Sequence, residues 1–137
     1  MLKKVILWTV YILITISCSA NHLQNTIDKK SFEKQFFLDK RFYSTIKQKF
    51  PNKNEIIILD SKHLITKEPL SFSNRDIKIT INNKENSDSD LFVKYYKLNS
   101  DLAYAVFWAN DNDAICFIVV KNDEKWNVAD VILRNIR

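Results

Sequence analysis

Nucleophilic catalysis is the first chemistry to consider in this sequence. Cys116 or a serine would supply the nucleophile, His63 the base, and Asp60 the acid that orients the base. Cys116 lies inside an apolar run, however, and a free cysteine in that setting usually packs as a small hydrophobic side chain. His63 lies among polar residues of a predicted loop. We therefore predict no catalytic residues and a protein that is not an enzyme.

Metal binding is the second chemistry to consider. The runs Asp88-Ser89-Asp90 and Asp111-Asn112-Asp113 each place carboxylates where they could in principle bind calcium. Neither run has the spacing of an EF-hand loop, and the glycine and distal glutamate of that loop are missing. The chain has only two histidines, which disfavours a zinc site. We predict surface turns at both runs, with no metal site and no cofactor.

The composition excludes several functional classes. The chain of 137 residues contains no glycine, which removes the P-loop and the dinucleotide-binding fingerprint. Backbone positions with positive φ must then be filled by Asn or Asp, the next most tolerant residues. The net charge is +5, and without Lys3 and Lys4 about +3, which is too small to indicate nucleic-acid binding. The length and the 46% hydrophobic content fit a single globular domain.

The N-terminal segment has the pattern of an export signal. Lys3 and Lys4 give a short positive start, and residues 5–16 form a mostly apolar run. A membrane-spanning helix needs about 20 apolar residues, so this run is too short to favour a permanent anchor. The sequence Thr15-Ile16-Ser17-Cys18 follows directly. Cys18 is the one residue to which we assign a chemical role.

This segment resembles the type II signal peptide of bacterial lipoproteins, in which a small residue precedes an invariant cysteine. Thr15 departs from that family, where leucine is commonest. The resemblance implies a signal peptide at residues 1–17, cleavage before Cys18, and diacylglycerol and a further acyl chain such as palmitate on that cysteine. Residues 18–27 would be the lipidated cysteine and a flexible tether at the cell envelope. Two alternatives stay open, which are ordinary secretory cleavage near Ser19-Ala20 and an uncut anchor helix.

An amphipathic helix is predicted at about residues 31–50. Its apolar stripe recurs at helical spacing and consists of Phe32, Phe36, Tyr43, Ile46 and Phe50. Asp28 or Ser31 could cap its start, and Pro51 disfavours continuing the helix. We assign the aromatic stripe to the core of the domain.

The opposite face of this helix is basic. It carries Lys40, Arg41, Lys47 and Lys49. One interpretation is an ordinary solvated surface. The other is contact with anionic lipid headgroups or an acidic partner, because a basic helix close to a lipid anchor could lie on the membrane.

Short apolar runs after the helix predict a sheet. Strands are expected at about 55–59 and 77–81, followed by four runs at 92–98, 102–109, 114–121 and 125–133. Asn- and Asp-rich breaks between the last four runs are typical of hairpins. Residues 60–74 are predicted to be an irregular connection and residues 82–90 a polar loop. The fold class is therefore α+β, with one N-terminal helix packed on a five- or six-stranded antiparallel meander.

The predicted order of elements is similar to that of small secreted cystatin-like and nuclear-transport-factor-like α+β domains. It consists of a single helix followed by antiparallel strands, and the last hairpin carries Lys125-Trp126-Asn127-Val128. The resemblance covers about residues 31–133. It implies a shape and no particular activity, since such folds serve many functions. We expect one α+β domain over residues 28–137.

The expected function is binding at the cell envelope. We expect a non-enzymatic lipoprotein that is held to the membrane by lipid on Cys18 and binds a protein, peptide or small ligand, with no nucleic acid involved. The acidic loop at 85–90 and the concave face of the sheet are the predicted binding surfaces. The alternatives are an immunity or inhibitor protein, or a ligand-binding or enzymatic domain with a pocket between helix and sheet.

Overall fold

The computed structural model describes residues 28–85, 88–110 and 112–135. The chain divides into two units, Met1–Glu33 and Lys34–Arg137. In the first unit, residues 28–33 are helical and Lys29 Nζ lies 3.8 Å from Glu33 Oε1, one helical turn away. The predicted leader and the predicted lipidation of Cys18 lie outside the described residues.

The helical region is two helices, so the prediction of one continuous helix is wrong. Helix α1 covers residues 28–37, and helix α2 is Lys40–Lys49. The apolar stripe nevertheless faces inward within the second unit, where Phe36, Tyr43 and Ile46 are all buried. Phe50, the last member of the stripe, is only half-buried because it follows the end of α2.

Asp39 separates the two helices by capping the second. Its backbone is extended, and its Oδ1 accepts hydrogen bonds from the N–H groups of Arg41 at 2.7 Å and Phe42 at 3.3 Å. The first N–H groups of a helix have no partner within the helix, so a short acidic side chain at this position stabilises a new start. The chain therefore breaks at Leu38 and Asp39 although the apolar periodicity continues through them.

Phenylalanine rings fill the space between α2 and the sheet. Phe42 of α2 lies 6.4 Å from Phe107 and 5.0 Å from Phe117, measured between ring centroids. Phe37, from the last turn of α1, stacks on Phe72 of the sheet at 4.9 Å. Tilted, edge-on and offset-stacked rings at these distances pack favourably. The prediction that helix packs on sheet is confirmed.

Over the described ranges the sheet has seven strands, one or two more than predicted. They are β1 Glu55–Leu59, β2 Leu70–Ser73, β3 Lys78–Asn82, β4 Leu91–Leu98, β5 Leu102–Ala109, β6 Asp113–Asn122 and β7 Lys125–Asn135. The order is β2-β3-β1-β4-β5-β6-β7. The meander of β4 to β7 is antiparallel as predicted. The sheet as a whole is mixed, because β1 lies between β3 and β4 and is parallel to both.

The stagger of the strands explains how so short a connection joins β3 to β4. β1 pairs with β3 along its whole length, but β4 pairs only with Ile58 and Leu59 at the end of β1. The chain therefore crosses one strand, a distance of roughly 10 Å, and does not return along the full length of β1. Parallel neighbours without that stagger need a crossover of a dozen or more residues.

Asp90 fixes the end of this connection. Its N–H donates to the carbonyl of Ile57 at 2.8 Å, and its Oδ2 accepts the N–H of Ile57 at 3.0 Å. The same carboxylate pairs with Lys53, and Asp90 is buried. The described residues 83–85 and 88–90 lie outside the strands, in agreement with the predicted polar loop. The prediction of an acidic binding surface at 85–90 is wrong for Asp90, which is buried and holds the start of β4 against β1.

Among the described residues, four have positive φ, and none of them is a glycine. Asn112 at 64° and Asp123 at 47° agree with the expectation that Asn or Asp fills such positions. His63 at 52° and Glu124 at 65° do not. A side chain with a Cβ atom costs about 1–2 kcal/mol in this region, so the absence of glycine leaves strain at these turns.

Replacing Glu124 by glycine should stabilise the domain. Asp123 and Glu124 are the central residues of the turn between Asn122 and Lys125, and both have positive φ, as in the type I′ turn that favours glycine at its second position. The change also removes the contact of Glu124 with Lys121, but Glu124 is 89% exposed, and an ion pair with so exposed a partner contributes little. We expect Glu124→Gly to raise the free energy of unfolding by about 1 kcal/mol in urea titrations.

The matched control for this prediction is Lys125→Gly. Lys125 is the first residue of β7, and glycine in a strand costs about 0.5–1 kcal/mol. The two glycines should therefore act in opposite directions. Equal destabilisation by both would show that the turn is not strained.

Candidate functional site

The two faces of the β4–β7 meander differ in burial. Along β6, Ile115, Phe117 and Val119 are buried beneath the phenylalanine core. The residues between them remain half-buried. β5 alternates in the same way, with Ala103, Ala105 and Phe107 buried. One face of the meander therefore packs in the core, and the other faces outward.

We call the outward side of the meander the open face. Its apolar side chains are Phe92 and Tyr95 of β4, Leu102, Tyr104, Val106 and Trp108 of β5, Cys116, Ile118 and Val120 of β6, and Ile132 of β7. Trp108 is 38% exposed and Tyr95 49%. Lys94 Nζ lies 4.2 Å from the Trp108 ring centroid, a cation–π contact. Exposed aromatic side chains within a contiguous apolar surface often mark interaction sites.

A groove continues the open face at the junction of β1 and β4. It has a volume of about 440 Å³. Leu59 and Phe92 supply apolar walls, and Lys62, Glu85 and Lys94 supply polar ones. The groove lies where β4 diverges from β1 after only two paired residues. It could receive a side chain of a partner that lies across the open face.

The basic face of α2 is partly used within the fold. Arg41 Nη1 donates to the carbonyl oxygens of Val128 at 3.0 Å and Ala129 at 2.6 Å. Lys49 forms an ion pair with Asp113. These two cations hold α2 to the sheet, so neither belongs to a purely solvated face. Charge reversal at either position would disturb the fold as well as any lipid contact.

Lys40 and Lys47 line a groove between α2 and the turn that joins β2 to β3, and Lys47 Nζ also donates to the carbonyl of Lys53 at 3.3 Å. The volume of the groove is about 340 Å³, and Tyr43 and Asp76 also line it. The hydroxyl of Tyr43 is buried and has no hydrogen-bond partner among the described residues. Burial raises the pKa of Tyr43, so the phenol stays neutral. An anionic group in this groove would meet two cations, opposed by one carboxylate.

Side chains near the helices cover the outer edge of the first half of β7. Gln35 Oε1 accepts the N–H of Trp126 at 2.7 Å, and Asp39 Oδ2 accepts the N–H of Val128 at 3.2 Å. Arg41 donates to the carbonyl oxygens of Val128 and Ala129. We call Gln35, Asp39 and Arg41 the edge clamp. Strand edges without such cover tend to pair with other chains.

The structure does not bring Cys116, His63 and Asp60 together. The Asp60 carboxylate is buried and accepts backbone N–H groups from Leu64, Ile65 and Thr66. His63 is exposed in the same turn. Cys116 lies on β6, three strands from β1 in the sheet, which corresponds to about 14 Å. The arrangement therefore supplies no nucleophile–base pair from these residues.

Cys116 should react slowly with alkylating reagents at neutral pH. Burial raises the pKa of its thiol, and the negative charge of Asp130 raises it further. Since the thiolate is the reactive form, we expect iodoacetamide to modify Cys116 several times more slowly than a free cysteine at pH 7. The rate should rise at higher pH, measured by mass spectrometry on Cys18→Ser protein. Asp130→Asn should speed the reaction; fast alkylation of the parent would reinstate a reactive thiol.

The carboxylates of the two acidic runs, 88–90 and 111–113, bind different groups within the fold. Asp90 pairs with Lys53, as described above. Asp113 accepts a hydrogen bond from Asn135 Nδ2 at 2.9 Å as well as pairing with Lys49, and Asp111 lies outside the described residues. Over the described ranges, no group of three or more His, Cys, Asp or Glu side chains could hold a metal ion. In those same ranges, no helix is both long and apolar enough to cross a bilayer.

Comparison with protein families, curated proteins and solved structures finds no match to this chain. The candidate site therefore depends on its own geometry. A signal for the open face was present in residues 102–109, where almost every side chain is apolar. A strand that is apolar on both faces is usually covered on both faces, so this pattern could have indicated a surface that a partner covers.

Proposed function

We propose that this chain is a lipid-anchored, non-enzymatic protein of the cell envelope whose domain binds a protein partner through the open face. The observation that carries the proposal is the contrast between the two faces of the meander. Phenylalanine rings fill the space beneath α2, which favours recognition at the surface over a pocket between helix and sheet. The opposite face offers large, partly exposed aromatic side chains.

The charges at the β4 side of the open face indicate the chemistry of the partner. Lys94 and Lys97 extend along β4 beside the aromatic residues. A complementary protein would have an apolar centre and carboxylates opposite these two lysines, because charges at an interface rim set orientation and association rate. An immunity or inhibitor protein would use such a face in the same way, by covering a surface of its target.

Site-specific photocrosslinking in the native membrane tests this surface. A photoreactive residue at Tyr104, in the centre of the open face, should yield a discrete adduct. The same residue at Gln48, exposed on α2, should not. Ile118 lies opposite Tyr104 in the sheet, so Ile118→Lys should abolish the adduct while Gln48→Lys leaves it. Identical products from both positions, or an adduct that survives Ile118→Lys, would contradict the proposal.

The proposed anchor has its own test. Metabolic labelling with a radioactive fatty acid should mark the full chain, and Cys18→Ala should remove the label. Cys116→Ala is the matched control and should keep it, because Cys116 is half-buried on the sheet. Label that persists in the Cys18→Ala protein would contradict lipidation at Cys18. It would not bear on binding by the open face.

A second candidate function is contact of α2 with anionic lipid headgroups. Lys40 and Lys47 favour it, because both line one groove and neither is needed to hold α2 to β7. Reversing both to Glu in Cys18→Ser protein should weaken binding to phosphatidylglycerol vesicles. Reversal of Lys67 and Lys84, both exposed on loops, is the matched control. Equal loss with either pair would indicate general attraction, in which this groove has no special part.

A further inference from the structure

The second half of β7 is an open strand edge. β7 is the last strand of the sheet, and an extra residue at Ala129 shifts its register against β6. Beyond that residue the edge clamp ends, and Ile132 and Leu133 are 39% and 59% exposed. The one hydrogen bond on the outer side of this half, within the described residues, joins the N–H of Val131 to the carboxylate of Asp130.

The direction of the backbone groups along this edge follows from the clamp. Trp126 and Val128 turn their N–H groups outward, toward Gln35 and Asp39. The N–H and C=O groups of successive residues point to opposite edges of a strand, and the extra residue at Ala129 shifts this alternation by one position. Val131 and Leu133 therefore present outward N–H and C=O groups, and Ile132 turns its own toward β6.

The side chains around Ile132 carry opposite charges. Asp130 and Arg134 lie on the same side of β7 as Ile132, two residues before it and two after it. Four residues of extended chain span about 13 Å, so these two charges cannot pair with each other. Within the described part of the chain, no ion pair includes either residue.

We propose that two copies of this chain pair along this edge, antiparallel, about a two-fold axis at Ile132. Asp130 then lies opposite Arg134 of the second copy, and Val131 opposite its Leu133. The outward groups of Val131 and Leu133 meet as a hydrogen-bonded pair, and the two Ile132 residues form the non-hydrogen-bonded pair on the axis. On pairing, the Asp130 carboxylate gives up its hydrogen bond from the N–H of Val131 and binds the guanidinium of Arg134 of the second copy.

Charge complementarity selects this register. Axes at Val131 or Leu133 keep the hydrogen-bonding pattern but place neither Asp130 nor Arg134 opposite a charge of the other sign. The axis at Ile132 forms the ion pair twice, as a self-complementary interface requires. Opposite charges directly across a strand pair stabilise it, and like charges destabilise it.

The edge clamp limits the length of the new ladder. Gln35, Asp39 and Arg41 occupy the outer edge as far as Ala129, which leaves residues 130–134 for the second copy. So short an interface gives a weak dimer in solution. Two-dimensional confinement by the proposed lipid anchor would raise the effective concentration of the copies. The open face stays accessible in both, so this pairing does not depend on the proposed partner.

Cysteine crosslinking tests the register. In membranes carrying the full chain with Cys116→Ser, Ile132→Cys should form a disulfide-linked dimer under mild oxidation. Non-hydrogen-bonded pairs have Cα atoms about 4.5 Å apart, within disulfide reach. Leu133→Cys is the matched control, because it is more exposed but lies across from Val131 of the second copy. Random collision would give more disulfide-linked dimer with Leu133→Cys, because that position is more exposed. The proposal would be overturned if Leu133→Cys alone formed the dimer, if both variants formed it equally, or if neither did.

Charge reversal tests the ion pairs independently. Asp130→Lys and Arg134→Asp, each added to Ile132→Cys, should reduce the dimer roughly tenfold, since the two-fold axis repeats each unfavourable pair. The double exchange should restore it. Circular dichroism of each variant separates loss of pairing from loss of fold. Folded variants that crosslink as well as Ile132→Cys alone would show that these charges do not meet.

Discussion

Alanine in place of Asp60 should destabilise this domain strongly, by about 3–5 kcal/mol of unfolding free energy. The side chain is fully buried just after β1. Its Oδ1 accepts the N–H of Leu64 at 2.8 Å, and its Oδ2 accepts those of Ile65 at 2.8 Å and Thr66 at 3.0 Å. A buried donor that loses its acceptor costs about 1–3 kcal/mol, and alanine removes the acceptor of the buried N–H of Ile65 and of the partly buried N–H groups of Leu64 and Thr66.

Urea denaturation followed by circular dichroism would measure this effect, with two matched variants. Asp60→Asn keeps one carbonyl oxygen, which can accept the bonds of Ile65 and Thr66, but then places an NH₂ group opposite the N–H of Leu64, so an intermediate loss is expected. Glu85→Ala removes an exposed carboxylate and should change the stability by less than about 0.5 kcal/mol. If Asp60→Asn were as stable as the parent, the carboxylate could not be the group that holds this turn.

The role of Asp60 shows where inference from residue types ends. An acid three residues before a histidine has the residue types of a base and the acid that orients it in a catalytic set. An aspartate at the start of a turn has another use, because its carboxylate can bond the backbone N–H groups that follow. The position of Asp60 directly before the turn could have indicated this backbone-binding role. Its distance from Cys116 could not be predicted, because it depends on the order of the strands in the sheet.

The meander of β4 to β7 could be predicted because its signals are local. Turn residues such as Asn99-Ser100-Asp101 and Asn122-Asp123-Glu124 lie between apolar runs, and each predicted strand agrees with the observed one to within two residues. Consecutive antiparallel strands need only a turn between them. No long-range information is required for that part of the fold.

The position of β1 could not be predicted in the same way. Its sequence, Glu55–Leu59, is apolar enough for a central strand but does not specify its neighbours. Its parallel pairing depends on the stagger of β4 and on Asp90, which bonds Ile57 from far along the chain. β2 has no strong sequence signal, because Leu70–Ser73 has only four residues and follows Pro69.

The basic face of α2 illustrates the same limit for the candidate site. Helical periodicity placed Lys40, Arg41, Lys47 and Lys49 away from the apolar stripe, and to that extent it was informative. It could not show that Arg41 reaches the carbonyls of Val128 and Ala129, because those acceptors come from the last strand. Which charges serve the fold and which remain for binding is decided by such distant contacts.

Asp39→Ala is the second substitution with a large expected effect, a loss of about 2–3 kcal/mol. Asp39 has two tasks, one for each carboxylate oxygen. Oδ1 caps α2 through Arg41 and Phe42, and Oδ2 accepts the N–H of Val128 on the edge of β7. Loss of an N-terminal cap costs about 1 kcal/mol, and an unpaired, largely buried N–H adds to it.

Asp39→Ser separates these tasks. Serine caps a helix about as well as aspartate, but its single hydroxyl lacks the second oxygen that binds Val128. We expect Asp39→Ser to lose about half as much stability as Asp39→Ala in the same urea titrations. Both variants uncover the edge at Val128, so hydrogen exchange of that amide should quicken in both. If Asp39→Ser matched the parent in stability and in exchange, the clamp would be dispensable, and the first half of β7 would be as open to a second strand as residues 130–134.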